Sequence, residues 1–197
     1  GYYPGAKVMT MKVVFEKESL KLLGAQIVGL EGVDKRLDVL ATAIHCGMKT
    51  EMLKDLDLAY APPFSSAKDP VNMAGFMIEN ISKGMIKQYH WDEVKNLPRD
   101  GSVTLLDTRT AYEYKSGHID GYINIPVDDL RDQLNELDRS KTVYVICQSG
   151  LRSYIACRIL SQNGFDCYNF SGGYRFYASV IKEKEMSEYT YPCGMEK

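Results

Sequence analysis

The stretch Ile146-Cys-Gln-Ser-Gly-Leu-Arg-Ser-Tyr-Ile-Ala-Cys-Arg-Ile-Leu160 decides how the chain is read. Val143, Val145 and Ile146 form a short β-branched run that reads as a buried strand ending at Cys147. From Arg152 to Gln162 the apolar spacing is helical, and Asn163-Gly164 closes the helix. Only Gln148-Ser149-Gly150-Leu151 separate the two. Outward from this junction the texture repeats. Strands are expected in 102–108, 121–126 and 166–170, and helices in 92–97, 110–116, 128–137 and 174–185, with Ser171-Gly172-Gly173 as a turn. Short strands alternating with helices predict a parallel sheet covered on both faces.

A cysteine at such a junction has chemical consequences. Ligands of open parallel sheets sit beyond the carboxyl ends of the strands, which is where Cys147 falls. Backbone N–H groups from Gln148 to Arg152 can converge there, and a helix N-terminus adds partial positive charge. Both favour thiolate over thiol, as does the guanidinium of Arg152. Gly150 permits the tight turn, since it tolerates positive φ. The expected object is a cup for a small anion with a nucleophilic sulfur at its base. A buried structural thiol is the plainer alternative.

Composition narrows the class. The 197 residues are 45% hydrophobic and 25% charged, enough for one or two globular domains. With 24 basic and 26 acidic residues the net charge is −2, and no basic stripe points to nucleic acid or an anionic membrane. No apolar run approaches the ~18 residues of a membrane span, and no leader pattern is present. Five cysteines, an odd number, suit free thiols in a reducing, cytoplasmic setting. The opening Gly-Tyr-Tyr-Pro lacks a Met and is read as the start of a piece of a longer protein. Cys46, Cys157 and Cys167 are expected to be core thiols, and Cys193 a spare thiol in a polar tail. No Cys/His pairing has metal-ligand spacing, so no metal is expected.

The first segment has a different texture. Residues 11–17 and 22–30 read as strands. A helix is expected from Asp34, as its cap, to Gly47, with Leu37, Leu40, Ala41 and Ile44 on its apolar face. A helical turn follows Thr50, a Pro/Ser-rich loop occupies 59–70, and Asp69-Pro70 starts a helix running to about Lys83-Gly84. Residues 82–88 read as a linker.

The alternating segment resembles the rhodanese domain. The resemblance rests on Asp107, Arg109, Glu113, Gly117, His118, Ile119, Gly121, Asn124, Ile125 and Pro126, then on the Cys147–Arg152 loop, then on Phe170-Ser-Gly-Gly-Tyr174. Tyr122 departs from the family, where Ala is common. The resemblance implies that Cys147 attacks a sulfane-sulfur donor, such as thiosulfate, a polysulfide or a persulfide, and carries a persulfide to a thiol acceptor. It makes Arg152 the residue that orients the loop or binds an anionic donor, and the amides of Gln148, Ser149, Gly150 and Leu151 anion stabilisers. Asp107 and Arg109 are expected to brace the loop. His118 is expected to hold a turn rather than act as a base. Rhodanese-fold phosphatases carry five residues between Cys and Arg; the four here argue for sulfur over phosphate. A non-catalytic docking module is the rival of another class.

The segment from Tyr2-Tyr-Pro-Gly-Ala6 through 22–48 and 55–80 resembles the dimerisation domain of flavin-dependent pyridine nucleotide-disulfide oxidoreductases, most closely the coenzyme A-disulfide reductase type. Some of these carry a C-terminal rhodanese domain. The resemblance implies a homodimer, with Tyr60 and Tyr2 or Tyr3 reaching a partner's thiol-substrate site. It also implies FAD, NAD(P)H and coenzyme A in the longer protein. This chain has no Gly-x-Gly-x-x-Gly after a strand, so it carries no such cofactor site of its own. The expected organisation is a small α+β dimerisation domain in 1–84, a three-layer α/β/α rhodanese-like domain with a parallel sheet in 85–186, and a tail in 187–197.

Overall fold

The computed structural model describes residues 3–189, so Tyr2 and Cys193 lie outside the described residues. The chain divides into two compact units between Met85 and Ile86.

In the first unit, β1 (Met9–Phe15) and β2 (Leu22–Gly29) form an antiparallel hairpin, with Met9 opposite Gly29 and Lys12 opposite Gln26. Burial alternates along β1, as a sheet covered on one face requires. Leu22, Leu40, Ala43, Leu53 and Val71 make the core between the hairpin, α1 (Val33–His45) and α2 (Pro70–Ser82). Two expectations are corrected here. Asp34 does not cap α1: the cap position is Gly32, and Asp34 lies in the first turn, where its charge suits the helix dipole. Cys46 is exposed rather than buried, because it follows the last core-facing turn, whose buried members are Leu40 and Ala43. Asp69 does cap α2, accepting from the Val71 N–H, and Asn72 closes a capping box.

A buried ion pair ties the Pro/Ser-rich loop to α1. The Arg36 guanidinium reaches Asp69 at 2.9 Å and also donates to the carbonyls of Gly32 and Phe64 and to the Ser65 hydroxyl. Burial works against the Asp69 carboxylate. The Val71 N–H, Arg36 and Ser65 outweigh it and hold its pKa below the usual value.

The second unit is a three-layer α/β/α domain around a five-stranded parallel sheet. Its strands are β3 (Lys87–Tyr89), β4 (Thr104–Asp107), β5 (Ile123–Asn124), β6 (Val143–Ile146) and β7 (Cys167–Phe170), in the order β3-β7-β6-β4-β5. The helices are α3 (Ala111–Lys115), α4 (Leu151–Gln162) and α5 (Gly173–Tyr189). The path β4-α3-β5 steps one way along the sheet and β6-α4-β7 steps the other. Right-handed crossovers therefore place α3 and α4 on opposite faces, and the chain reverses between β4 and β6. That reversal puts Asp107, in register with Ile146, beside the start of the cysteine loop.

Three sequence expectations fail in this unit, the first being that residues 92–97 hold tight turns and a 3-10 turn (Val94–Asn96) in place of an α-helix. Residues 82–88 are not all linker: Lys87–Tyr89 adds an edge strand to β7, where the buried Tyr89 ring meets Phe170. Residues 128–137 do not form an α-helix. They run as successive tight turns and one 3-10 turn (Leu134–Glu136), with Leu130 and Leu137 buried. Asp128, Asp129 and Asp132 favour such turns over a helix interior. The unusual Tyr122 is buried, with its hydroxyl 3.0 Å from that of Tyr89; desolvation pushes its phenol up to about 12.

Arg36→Met leaves Asp69 buried without its cation, and is expected to cost about 3 kcal/mol in the first unit. Urea unfolding of the parent and the variant measures this, and hydrogen exchange at residues 59–69 should rise. Because the folded Asp69 value is depressed, its stabilisation is complete above the ordinary carboxylate range and is lost as pH falls through the lowered value.

Candidate active site

Cys147 is the residue after β6, and its side chain is 1% exposed. Gly150 adopts φ +107° at the N-cap of α4, and its N–H donates to Cys147 Sγ at 3.1 Å. The Ser153 hydroxyl, in the first turn of α4, lies 3.2 Å from the same sulfur. Expectation had the amides from Gln148 to Arg152 converging on the sulfur; among the described residues, the loop amide that bonds it is that of Gly150.

The loop is held from outside by α5. The N–H groups of Tyr174 and Arg175 donate to the carbonyls of Cys147 and Gln148 at 2.8 and 3.2 Å. Gly173 makes this approach possible. A Cβ on it would stand 2.6 Å from the Gln148 carbonyl and the Ser149 nitrogen, and its φ is +72°.

Both guanidinium groups of the site are paired. Arg109 and Asp107 are 2% and 0% exposed at the side chain, with a closest contact of 2.7 Å. Arg109 also donates to the Gly117 carbonyl at 2.8 Å, reaches Gln148 Oε1 at 3.4 Å, and lies 4.0 Å above the Tyr174 ring. It thus touches the loop and the helix that pins the loop. The Asn124 amide in turn donates to the carbonyls of Asp107 and Arg109. Arg152 makes a bidentate pair with Glu113, both contacts 2.6 Å. Glu113 sits at the start of α3 in a capping box with Thr110. The Arg152 guanidinium, against a smaller opposing effect of burial and with help from Thr110, lowers the Glu113 pKa from 4.5 to about 2. Glu113 likewise pushes the Arg152 pKa up.

The remaining candidates fall elsewhere. His118 places Nδ1 3.1 Å from the Tyr114 carbonyl and stacks on the Tyr114 ring, at the end of α3. Leu151, expected in the loop, is instead the first residue of α4 and is 63% exposed. Tyr3 and Tyr60 are exposed on the first unit. Cys157 and Cys167 are buried, and the Cys167 thiol donates to the Cys157 carbonyl; its thiol contact with Cys167, together with burial, pushes the Cys157 thiol well up. Among the described residues no group of three or more His, Cys, Asp or Glu side chains could hold a metal, and no helix is long and apolar enough to cross a membrane. Sequence reading missed Ser153 and Gly173. The first carried a signal, since position 153 lies one helical turn from Gly150.

Gly173→Ala should displace the cysteine loop, and a misplacement of about 1 Å costs roughly 100-fold in reactivity. The rate of alkylation at Cys147, compared between parent and variant, checks this. The Glu113–Arg152 pair contributes stability in full above about pH 4.5 and loses it as pH falls towards about 2, because the folded carboxyl value is depressed. Glu113→Gln should flatten that portion of the unfolding profile of the second unit, read by denaturation from about pH 5 to about pH 3.

Comparison with known proteins gives the site its context. Residues 1–71 match the pyridine nucleotide-disulphide oxidoreductase dimerisation domain, and residues 90–179 match the rhodanese-like domain. The coenzyme A disulfide reductase of Staphylococcus epidermidis is 45% identical over 76 residues, covering 39% of this chain and 17% of that protein. Its Staphylococcus haemolyticus counterpart is 42% identical over 81 residues, or 41% and 18% of the two chains. Among solved structures, Bacillus anthracis CoADR-RHD aligns with a TM-score of 0.89 at 46% identity, over 93% of this chain and 33% of its own. A NAD-dependent persulfide reductase from A. fulgidus aligns at 0.78 and 39% identity, over 89% and 31%. The chain therefore spans less than a fifth of the length of those curated relatives and about a third of the matched structures. Its first part thus matches the pyridine nucleotide-disulphide oxidoreductase dimerisation domain and its second the rhodanese-like domain, and CoADR-RHD is similar to the chain across both.

Proposed function

We propose that the second unit is a sulfurtransferase whose carrier is Cys147. The observation that supports this most is the enclosed Sγ at the strand–helix junction, with the Gly150 N–H directed at it across a four-residue loop. In the first half-reaction the Cys147 thiolate attacks the outer sulfur of a donor R–S–SH. The Cys147 S–S bond forms, the donor S–S bond breaks, and RS⁻ leaves with the electron pair. In the second half-reaction an acceptor thiolate attacks the outer sulfur and Cys147 leaves as thiolate. Arg152 acts as a positioning residue, since Glu113 occupies both of its outer nitrogens. Arg109 is paired to Asp107 as well, so neither of these two guanidinium groups is left without a carboxylate. That supports an organic persulfide or polysulfide as donor over the thiosulfate dianion, for which an unpaired guanidinium would be the natural ligand.

The relatives' names support placing this activity in a coenzyme A-disulfide or persulfide reductase. In that reading the first unit forms a homodimer, and its exposed Val14, Leu23 and Val28 suit burial against other protein surface. Tyr60 and Tyr3, with Tyr2 outside the described residues, would face a partner's thiol substrate. FAD, NAD(P)H and coenzyme A would be held by residues beyond this chain and would supply the reducing electrons. The compartment proposed is the cytoplasm.

Incubation with polysulfide, trapping with iodoacetamide and mass measurement of the Cys147 peptide test the proposal. The expected result is one added sulfur, absent in Cys147→Ala, with slower uptake from thiosulfate. No added sulfur at Cys147 would sink it.

A further inference from the structure

Ser153 lies outside the Cys-x-x-Gly-x-Arg pattern and yet touches the reacting atom. It is fully buried in the first turn of α4, with its Oγ 3.2 Å from Cys147 Sγ and 3.1 Å from the Gly150 carbonyl oxygen. A serine hydroxyl has one hydrogen and rotates to suit its partners, so the two acceptors compete for it. A thiolate is the stronger acceptor of the two. The divalent inner sulfur of a persulfide is a weak one.

Resting on the sulfur-transfer reading above, we propose that Ser153 is a catalytic residue of persulfide discharge. Its hydrogen is held by the Gly150 carbonyl while Cys147 is loaded, and turns onto Sγ as that sulfur becomes the leaving group. The step is Cys147–S–SH + RS⁻ → Cys147–S⁻ + RS–SH. The bond from RS⁻ to the outer sulfur forms as the Cys147 S–S bond breaks, and the electron pair passes to Sγ. No further oxidant or reductant is consumed.

Negative charge thus develops on Sγ during discharge, and a donor aimed there binds the transition state better than the loaded ground state. Loading runs in the opposite sense. There Sγ gives its charge to the departing thiolate, and the same hydrogen bond weakens along the way. Because Ser153 has no exposure, water does not replace a deleted hydroxyl. The Gly150 N–H is fixed by the loop, whereas the hydroxyl follows the charge.

The test uses the full chain as parent, Ser153→Ala and Ser153→Thr. Each is loaded with polysulfide at one fixed alkaline pH, then desalted and mixed with glutathione. Trapped Cys147 peptide mass is followed through loading and through a single discharge. Ser153→Ala is expected to load within about twofold of the parent and to discharge about 10- to 100-fold more slowly. Recovery of discharge in Ser153→Thr supports the hydroxyl as the agent. Discharge of Ser153→Ala at the parent rate overturns the proposal. So does equal slowing of both halves, failure of this variant to load, or a discharge defect shared by both variants, each of which assigns Ser153 to packing. A parent chain that takes up no sulfur overturns the sulfur-transfer reading itself, and that result is visible before any variant is compared.

Discussion

The second unit depends on one buried ion pair. Asp107 ends β4 at the point where the chain reverses across the sheet, and Arg109 folds back on it with almost no exposure. An isolated charge at that depth would cost several kcal/mol, so each group is tolerable only because the other is present. Once paired, the guanidinium has donors to spare. It spends them on the Gly117 carbonyl and on Gln148, and lays its face over Tyr174. One cation thereby connects a strand end, the turn after α3, the cysteine loop and the first turn of α5.

A second pair works at the rim. Glu113 and Arg152 join α3 to α4, helices on opposite faces of the sheet, across the end where Cys147 emerges. The two pairs have different burial and hence different roles. The inner one fixes the backbone around the loop. The outer one, part-exposed, fixes the entrance and neutralises the charge that would otherwise draw in anions.

Much of this was readable in advance, for physical reasons. The parallel sheet was legible because buried strands leave unbroken β-branched runs, and the junction at Cys147 because so few residues separate a strand from a helix. Asp69-Pro70 announced α2 through capping chemistry that is local in sequence. What escaped reading depends on distant partners. Lys87–Tyr89 looks like linker until β7 offers it an edge. Residues 128–137 carry helical spacing, but their aspartates take up tight turns. The exposure of Cys46 follows from which turn of α1 faces the hairpin. Glu113 was visible as a motif member, but its hold on Arg152 needs two elements 39 positions apart. Gly173 matters only because another loop passes against it.

The cap position of α4 has a further meaning. Gly150 brings no side chain to satisfy the first free amides of the helix, and the group that accepts from it is Cys147 Sγ. The nucleophile is therefore also tied to secondary structure: its sulfur accepts from the N–H of the cap residue itself, the place taken in a capping box by the reciprocal side chain. Chemistry at the sulfur and fraying of the first helical turn become one equilibrium. Replacing the cysteine by alanine removes a terminus anchor worth about 1 kcal/mol along with the thiol, whereas serine keeps an acceptor in its place.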